Sequence, residues 1–134
     1  MLTGLNHITL AVSDLSASLT FYTEVLGFTG HVQWDRGAYL SLGALWLCLS
    51  CGPVDSRQDY THIALNIAPE NFAAFAERLR EQCVPEWQTN TSEGQSLYFL
   101  DPDGHRLEIH VGGLLNRLES LRSQPYTGLK WLSS

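Results

Sequence analysis

Apolar and polar positions along this chain switch between two periods, and the same order of switching occurs twice. Residues 5–14, LNHITLAVSD, alternate as a half-buried strand does, and residues 60–69, YTHIALNIAP, do the same; a histidine stands third in each run, His7 and His62. Each run gives way to a helical stripe. Leu15, Leu19, Tyr22 and Leu26 recur at spacings of three and four and stop at Gly27, with Ser13 or Asp14 placed to cap the start. In the second copy Pro69 suits a first helical turn, and Phe72, Phe75, Ala76 and Leu79 form the buried face. Strand patterns return after both helices. The first set runs through HVQWDRGAYLSLGALWLCLS with turns at Asp35–Gly37 and around Gly43. The second runs through SLYFLDPDGHRLEIHV, where Asp101-Pro102-Asp103-Gly104 marks a hairpin turn. A last stripe, Leu114, Leu118 and Leu121, predicts a helix ending before Pro125. The expectation is an α+β fold of paired βαβββ modules: one domain, 1–134, with halves at about 1–52 and 59–113, then a C-terminal helix and tail.

Composition narrows the class. A length of 134 residues is one ordinary domain, and 44% hydrophobic with 10% aromatic residues supplies a core that a disordered or fibrous chain lacks. Eight Lys and Arg against 14 Asp and Glu leave a net charge of −6 without a basic cluster, which argues against nucleic-acid and membrane-surface partners. No apolar run reaches the about 20 residues that a membrane span needs. MLTGLNHITLAVSDL has no positive n-region, so no secretory signal is expected. Three cysteines cannot all pair within the chain, which favours the reducing cytoplasm.

Modules related by a pseudo-twofold axis let His7 and His62 converge. Glu108, on the last strand of the second half, adds a carboxylate; two imidazoles and one carboxylate make a facial set with open positions, suited to Mn or Fe at a catalytic site. His110 lies two residues on, on the same strand face, and spacing does not choose between them. Taken singly, a strand histidine is more often a satisfied core residue; the doubled pattern is what favours ligands. Cys48 occupies the first-half position that matches Glu108. His31 and His105 fall in loop or hairpin positions and read as surface. Cys48 and Cys51 form a CxxC, but at the end of a strand positions three apart face opposite ways, and Cys83 after the second helix reads as core. The stretch from Asn90 to Ser96 is either a plain turn or a cage of carbonyls and hydroxyls for a hard cation or an anion. Arg117 can clamp an oxyanion, and Thr9 shares a strand face with His7.

Assembled in this way, the chain resembles the vicinal oxygen chelate superfamily and, within it, the fosfomycin-resistance glutathione transferases of the FosA type. LNHITLAVSDL, WDRGAYLSLGALWLCLS, DYTHIAL, SEGQSLYFLDPDGHRLEIHVG and PYTGLKW carry the likeness over nearly the whole chain. The resemblance implies a domain-swapped homodimer, an enzyme that opens the epoxide of fosfomycin by adding glutathione, with Mn(II) as cofactor and K⁺ as activator. It implies His7, His62 and Glu108 as metal ligands, with His7 supplied by the partner chain. Thr9 would hydrogen-bond the substrate oxygen and Tyr39 would favour the glutathione thiolate. Ser92, Ser96, Tyr98 and Arg117 match the phosphonate-holding positions. Asn90, Ser92, Gly94 and Ser96 match the K⁺ loop, and Trp34 and Ser50 line the glutathione channel.

The chain also departs from that pattern. Gln88 stands where the family usually has a phosphonate-contacting lysine, and Thr91 replaces a basic residue. Arg36 replaces an uncharged residue and offers a compensating cation for glutathione, and Ile63 replaces an aromatic. The three metal ligands are retained, which a metal-free drug-binding relative would not require. A related epoxide hydrolase would want a carboxylate base near Tyr39, where only Asp35 is close. A glyoxalase would want a glutamate at Cys48, and an extradiol dioxygenase lacks the SEGxS loop.

Overall fold

The first alternating run forms β1 (Ile8–Val12), followed beyond its helix by β2 (Thr29–Trp34), β3 (Gly37–Leu42) and β4 (Leu45–Cys51), in a computed structural model that describes residues 1–133. These strands make one sheet in the order β1-β4-β3-β2, with β1 parallel to β4 and the other pairs antiparallel. Period-two alternation sorts its faces. Val12, Ala38, Leu40, Leu47 and Leu49 are buried on one side, while Thr9, Tyr39, Trp46 and Ser50 are exposed on the other.

Of the two candidate caps, Asp14 starts α1 (Leu15–Thr20) by accepting the Ala17 N–H at 3.0 Å, whereas Ser13 is held by Asp103. The stripe does not continue as regular α-helix. Phe21–Val25 is a π-helical turn, closed by the Leu26 N–H on the Phe21 carbonyl at 3.0 Å. The residue it adds turns Phe21, Tyr22 and Leu26 all inward, with Tyr22 edge-on to Phe21 and Phe28 at 5.3 and 5.5 Å. The Tyr22 hydroxyl donates to Asp101 Oδ2 at 2.7 Å. Asp101 belongs to the hairpin tip of the later half, which is built into the first of two compact units, Met1–His62 with Leu100–Arg106. Asp103 accepts the Ser13 N–H and hydroxyl there, and His105 Nε2 donates to the Ala11 carbonyl at 2.7 Å. His105 is therefore a half-buried structural residue, not the surface histidine that its loop position suggests.

The second unit, Ile63–Phe99 with the residues from Leu107 on, repeats the layout. β5 (Ile63–Asn66), β6 (Glu86–Gln88), β7 (Ser96–Leu100) and β8 (Arg106–His110) form a sheet in the order β5-β8-β7-β6, again with the first strand parallel to the last. The register repeats too: Thr9 opposes Cys48 in the first sheet and Ala64 opposes Glu108 in the second, so Cys48 and Glu108 are equivalent positions. α2 (Pro69–Glu81) starts at Pro69 and buries Ala76 and Leu79. It ends with the Val84 N–H on the Leu79 carbonyl and the Cys83 N–H on the Arg80 carbonyl, both at 3.0 Å, a closure that needs a left-handed residue. Cys83 is that residue, at φ 55, and is exposed. The expected core cysteine is thus used for its backbone. In α3 (Leu114–Ser123) Leu121 is buried and Leu118 half-buried, but Leu114 is 72% exposed. Among the described residues no helix is long and apolar enough to cross a membrane.

Candidate active site

On the exposed face of the first sheet the register places Thr9, Cys48 and Tyr39 in one row. His7 stands one residue ahead of β1, and its ring lies 4.5 Å from that of Trp46. Tyr39 meets Trp46 and Trp34 edge-on at 5.3 and 4.8 Å. His7, Trp46, Tyr39 and Trp34 therefore follow one another across the sheet, each aromatic edge presenting apolar area with a polar tip. A Cβ at Gly37 would come within 2.7 Å of the Trp34 indole, so only glycine lets that ring fold down over β3. Arg36, in the β2–β3 turn, donates from Nη2 to the Cys51 carbonyl at 2.9 Å and leaves its guanidinium exposed near Ser50 on β4. Cys48, Cys51 and Cys83 are free thiols, and no redox pair forms from the CxxC.

His62 also precedes its strand by one residue. Its Nδ1 lies 2.7 Å from the Tyr60 carbonyl, and His7 Nδ1 lies 2.7 Å from the Asn6 side-chain oxygen. Carbonyl oxygens only accept, so each neutral ring carries its proton on Nδ1 and its basic lone pair on Nε2. Metal-ligating histidines use this arrangement, with the non-ligating nitrogen donating to a carbonyl or carboxylate. Sequence reasoning supplies the two histidines but not these partners; Asn6 beside His7 is the only trace of them in the sequence.

In the second unit Glu108 is 6% exposed. The Ser96 hydroxyl donates to Glu108 Oε2 at 2.5 Å, and His110 Nδ1 lies 2.5 Å from the same hydroxyl oxygen and 3.4 Å from Glu108. Tyr98 is buried on the same strand as Ser96, edge-on to Trp87 at 5.1 Å and opposite Gln88 across the β6–β7 register. The loop before β7 is closed by Asn90, whose Oδ1 accepts from the Ser92 N–H and hydroxyl and whose amide donates to the Gly94 carbonyl at 2.8 Å. Gly94 has φ +79. Arg117, on α3, donates from Nε to Glu93 at 3.2 Å and from Nη1 to the Tyr126 hydroxyl at 3.4 Å. Glu93 and Tyr126 lie in the SEGQS and PYTGLKW segments, yet nothing in their spacing signals this contact with Arg117.

Among the described residues no three His, Cys, Asp or Glu side chains gather closely enough to hold a metal ion. His7 and His62 belong to the first unit and Glu108 to the second. Their chemistry still fits a divalent ion, since two imidazoles with basic Nε2 atoms and one hydrogen-bonded carboxylate suit Mn(II) or Fe(II).

The family model of the glyoxalase/bleomycin resistance protein/dioxygenase superfamily matches residues 4–109. The glutathione transferase FosA of Serratia marcescens is 51% identical over 140 aligned positions, covering 99% of this chain and 98% of that protein. The metallothiol transferase FosB of Shouchella clausii is 39% identical over 126 positions, covering 88% and 86%. Among solved structures, the fosfomycin resistance protein FosX of Listeria monocytogenes, complexed with Mn(II) and a sulfate ion, matches with a TM-score of 0.77 at 34% identity, covering 90% of this chain and 98% of that one.

Proposed function

Because the chain belongs to the glyoxalase/bleomycin resistance protein/dioxygenase superfamily, we propose that it is a fosfomycin-modifying glutathione transferase. The observation that carries this reading is the 51% identity to a FosA glutathione transferase over 99% of the chain. In the reaction the glutathione sulfur bonds to an epoxide carbon as that carbon's bond to oxygen breaks, and the freed oxygen takes up a proton in exchange for the one the thiol loses.

The residues divide between the two reactants. Trp34, Ser50 and Arg36 bind glutathione on the exposed face of the first sheet, with the Arg36 guanidinium meeting a carboxylate. Tyr39, between Trp34 and Trp46, offers its hydroxyl to the thiol sulfur and favours the thiolate. Ser92, Tyr98, Arg117 and Gln88 hold the phosphonate, the Ser96 hydroxyl hydrogen being given to Glu108 instead, and Thr9 donates to the substrate oxygen. The oxygens of Asn90, Ser92, Gly94 and Ser96 serve K⁺. His7, His62 and Glu108 hold Mn(II), which when bound supplies Lewis-acid stabilisation of the oxygen on which charge develops.

The assembly we infer is a cytoplasmic homodimer of single-domain chains, each domain made of two βαβββ halves. His7 of one chain joins His62 and Glu108 of the other. The test is to incubate the purified protein with fosfomycin and Mn(II), with and without glutathione, and to follow fosfomycin and its products by mass spectrometry. The expected result is a one-to-one glutathione adduct formed only when both metal and thiol are present. Diol formation without thiol, or no consumption at all, would overturn the proposal.

A further inference from the structure

The geometry points to His110 as a positioning residue, which acts through the Ser96 hydroxyl to fix Glu108 for metal binding. This inference rests on the reading of Glu108 as a metal ligand.

A serine hydroxyl has one hydrogen and two lone pairs. A carboxylate only accepts, so at 2.5 Å the Ser96 hydrogen must point at Glu108 Oε2. The nitrogen 2.5 Å away on the other side of Ser96 Oγ then has to be the donor, which places the His110 proton on Nδ1. The direct His110–Glu108 separation is longer, 3.4 Å, so the close path runs from His110 through Ser96. The order is His110 Nδ1–H to Ser96 Oγ, then Ser96 O–H to Glu108 Oε2.

A protonated Nδ1 has no lone pair for a metal, and this separates the two residues that share the strand face: the carboxylate can ligate while the imidazole orients. The ring is also held in place. Its side chain is 16% exposed. A Cβ on Gly94 would come within 3.0 Å of His110 Cε1, so the missing side chain lets the loop backbone close against the ring. The Val111 N–H on the Gln95 carbonyl at 2.9 Å ties the end of β8 to the residue before β7. With the Ser96 hydrogen fixed in this way, one carboxylate oxygen of Glu108 is committed and its orientation set. Hydrogen-bonded supports of this kind are worth about 10–100-fold in metal affinity when removed.

The test measures Mn(II) affinity by electron paramagnetic resonance of the free ion. The proteins compared are wild type, Glu108→Ala, Ser96→Ala, His110→Ala, His110→Asn, His110→Gln and the double variant Ser96→Ala/His110→Ala, with folding checked by circular dichroism. The Asn side chain carries an N–H to the place of Nδ1, and the Gln side chain to that of Nε2. The expected result is a loss of about 10–100-fold for His110→Ala and His110→Gln, affinity close to wild type for His110→Asn, and no loss in the double variant beyond that of Ser96→Ala. Wild-type affinity in His110→Ala, equal losses in His110→Asn and His110→Gln, or additive losses in the double variant would overturn the proposal. Full Mn(II) affinity in Glu108→Ala, or none in wild type, would overturn the ligand reading itself, a failure that the His110 variants alone cannot produce.

Discussion

Tyr22→Phe removes a single oxygen from an enclosed polar contact in the first unit. Tyr22 is 1% and Asp101 4% exposed, and their oxygens are 2.7 Å apart. The ring's edge-on contacts with Phe21 and Phe28 survive the change, so the cost lies in the hydrogen bond. Asp101 Oδ1 keeps the N–H groups of Asp103 and His105 at 3.0 and 2.8 Å, while Oδ2 loses the Tyr22 donor. A bond to a charged group contributes about 1.5–3 kcal/mol, so we expect a loss near 2 kcal/mol at pH 7.5. At about 3 °C per kcal/mol for a domain of this size, the melting temperature falls by about 6 °C.

The loss should also depend on pH. Burial pushes the Asp101 carboxyl above the usual carboxylate range, against the opposing pull of Tyr22 and of the His105 and Asp103 N–H groups. Burial, with Asp101 alongside, also pushes the Tyr22 hydroxyl far up, so it remains a donor throughout. A carboxyl with a raised folded-state pKa takes up its proton more readily folded than unfolded. Its ionised form therefore costs stability above that pKa, and the cost disappears as the pH falls below the unfolded value. Removing the Tyr22 donor raises the folded pKa further, so the difference between variant and wild type is largest at pH 7.5 and shrinks toward pH 4. Urea unfolding of both proteins at equal concentration across this range measures it. A difference under about 0.5 kcal/mol, or one independent of pH, would refute the reasoning.

Cys83→Gly should stabilise the protein by about 1 kcal/mol in the same urea assay, because glycine adopts the left-handed conformation without the steric cost of a Cβ; a loss of stability would contradict the helix closure described above. Gly94→Ala should destabilise by about 2 kcal/mol or more, since it combines that conformation with a Cβ 2.8 Å from the Val111 carbonyl. If Gln88 contacts the phosphonate as proposed, Gln88→Lys exchanges a neutral donor for a charged one, a gain of about 1.4 kcal/mol and hence about tenfold in kcat/KM for fosfomycin, mostly through KM. Unchanged steady-state kinetics for that variant would mean that the phosphonate lies elsewhere.

Much of the fold is legible in the sequence, because period-two and helical stripes encode which faces are buried whatever the partner elements. The doubled runs give β1 and β5 with His7 and His62 at their starts, and the turns at Asp35–Gly37 and Asp101–Gly104 follow from local chemistry. The π-helical turn is not legible, since the apolar stripe runs through Phe21–Val25 without a break and the Tyr22 partner, Asp101, lies 79 positions away in sequence. Cys83 misleads because an apolar residue after a helix looks like core, while the helix end needs a particular backbone angle. Spacing puts Glu108 and His110 on one face and cannot separate them. The hydroxyl of Ser96, on another strand and 2.5 Å from both, gives them different hydrogen-bonding roles.

A metal site shared between two chains is tested most directly by complementation. His7→Ala chains and Glu108→Ala chains, each inactive alone, are mixed, refolded and assayed for glutathione adduct formation on fosfomycin with Mn(II). The mixed dimer should contain one site with His7, His62 and Glu108 all intact and one lacking both replaced ligands, so partial activity should return. No recovery in a preparation shown to contain the mixed dimer would contradict the shared site.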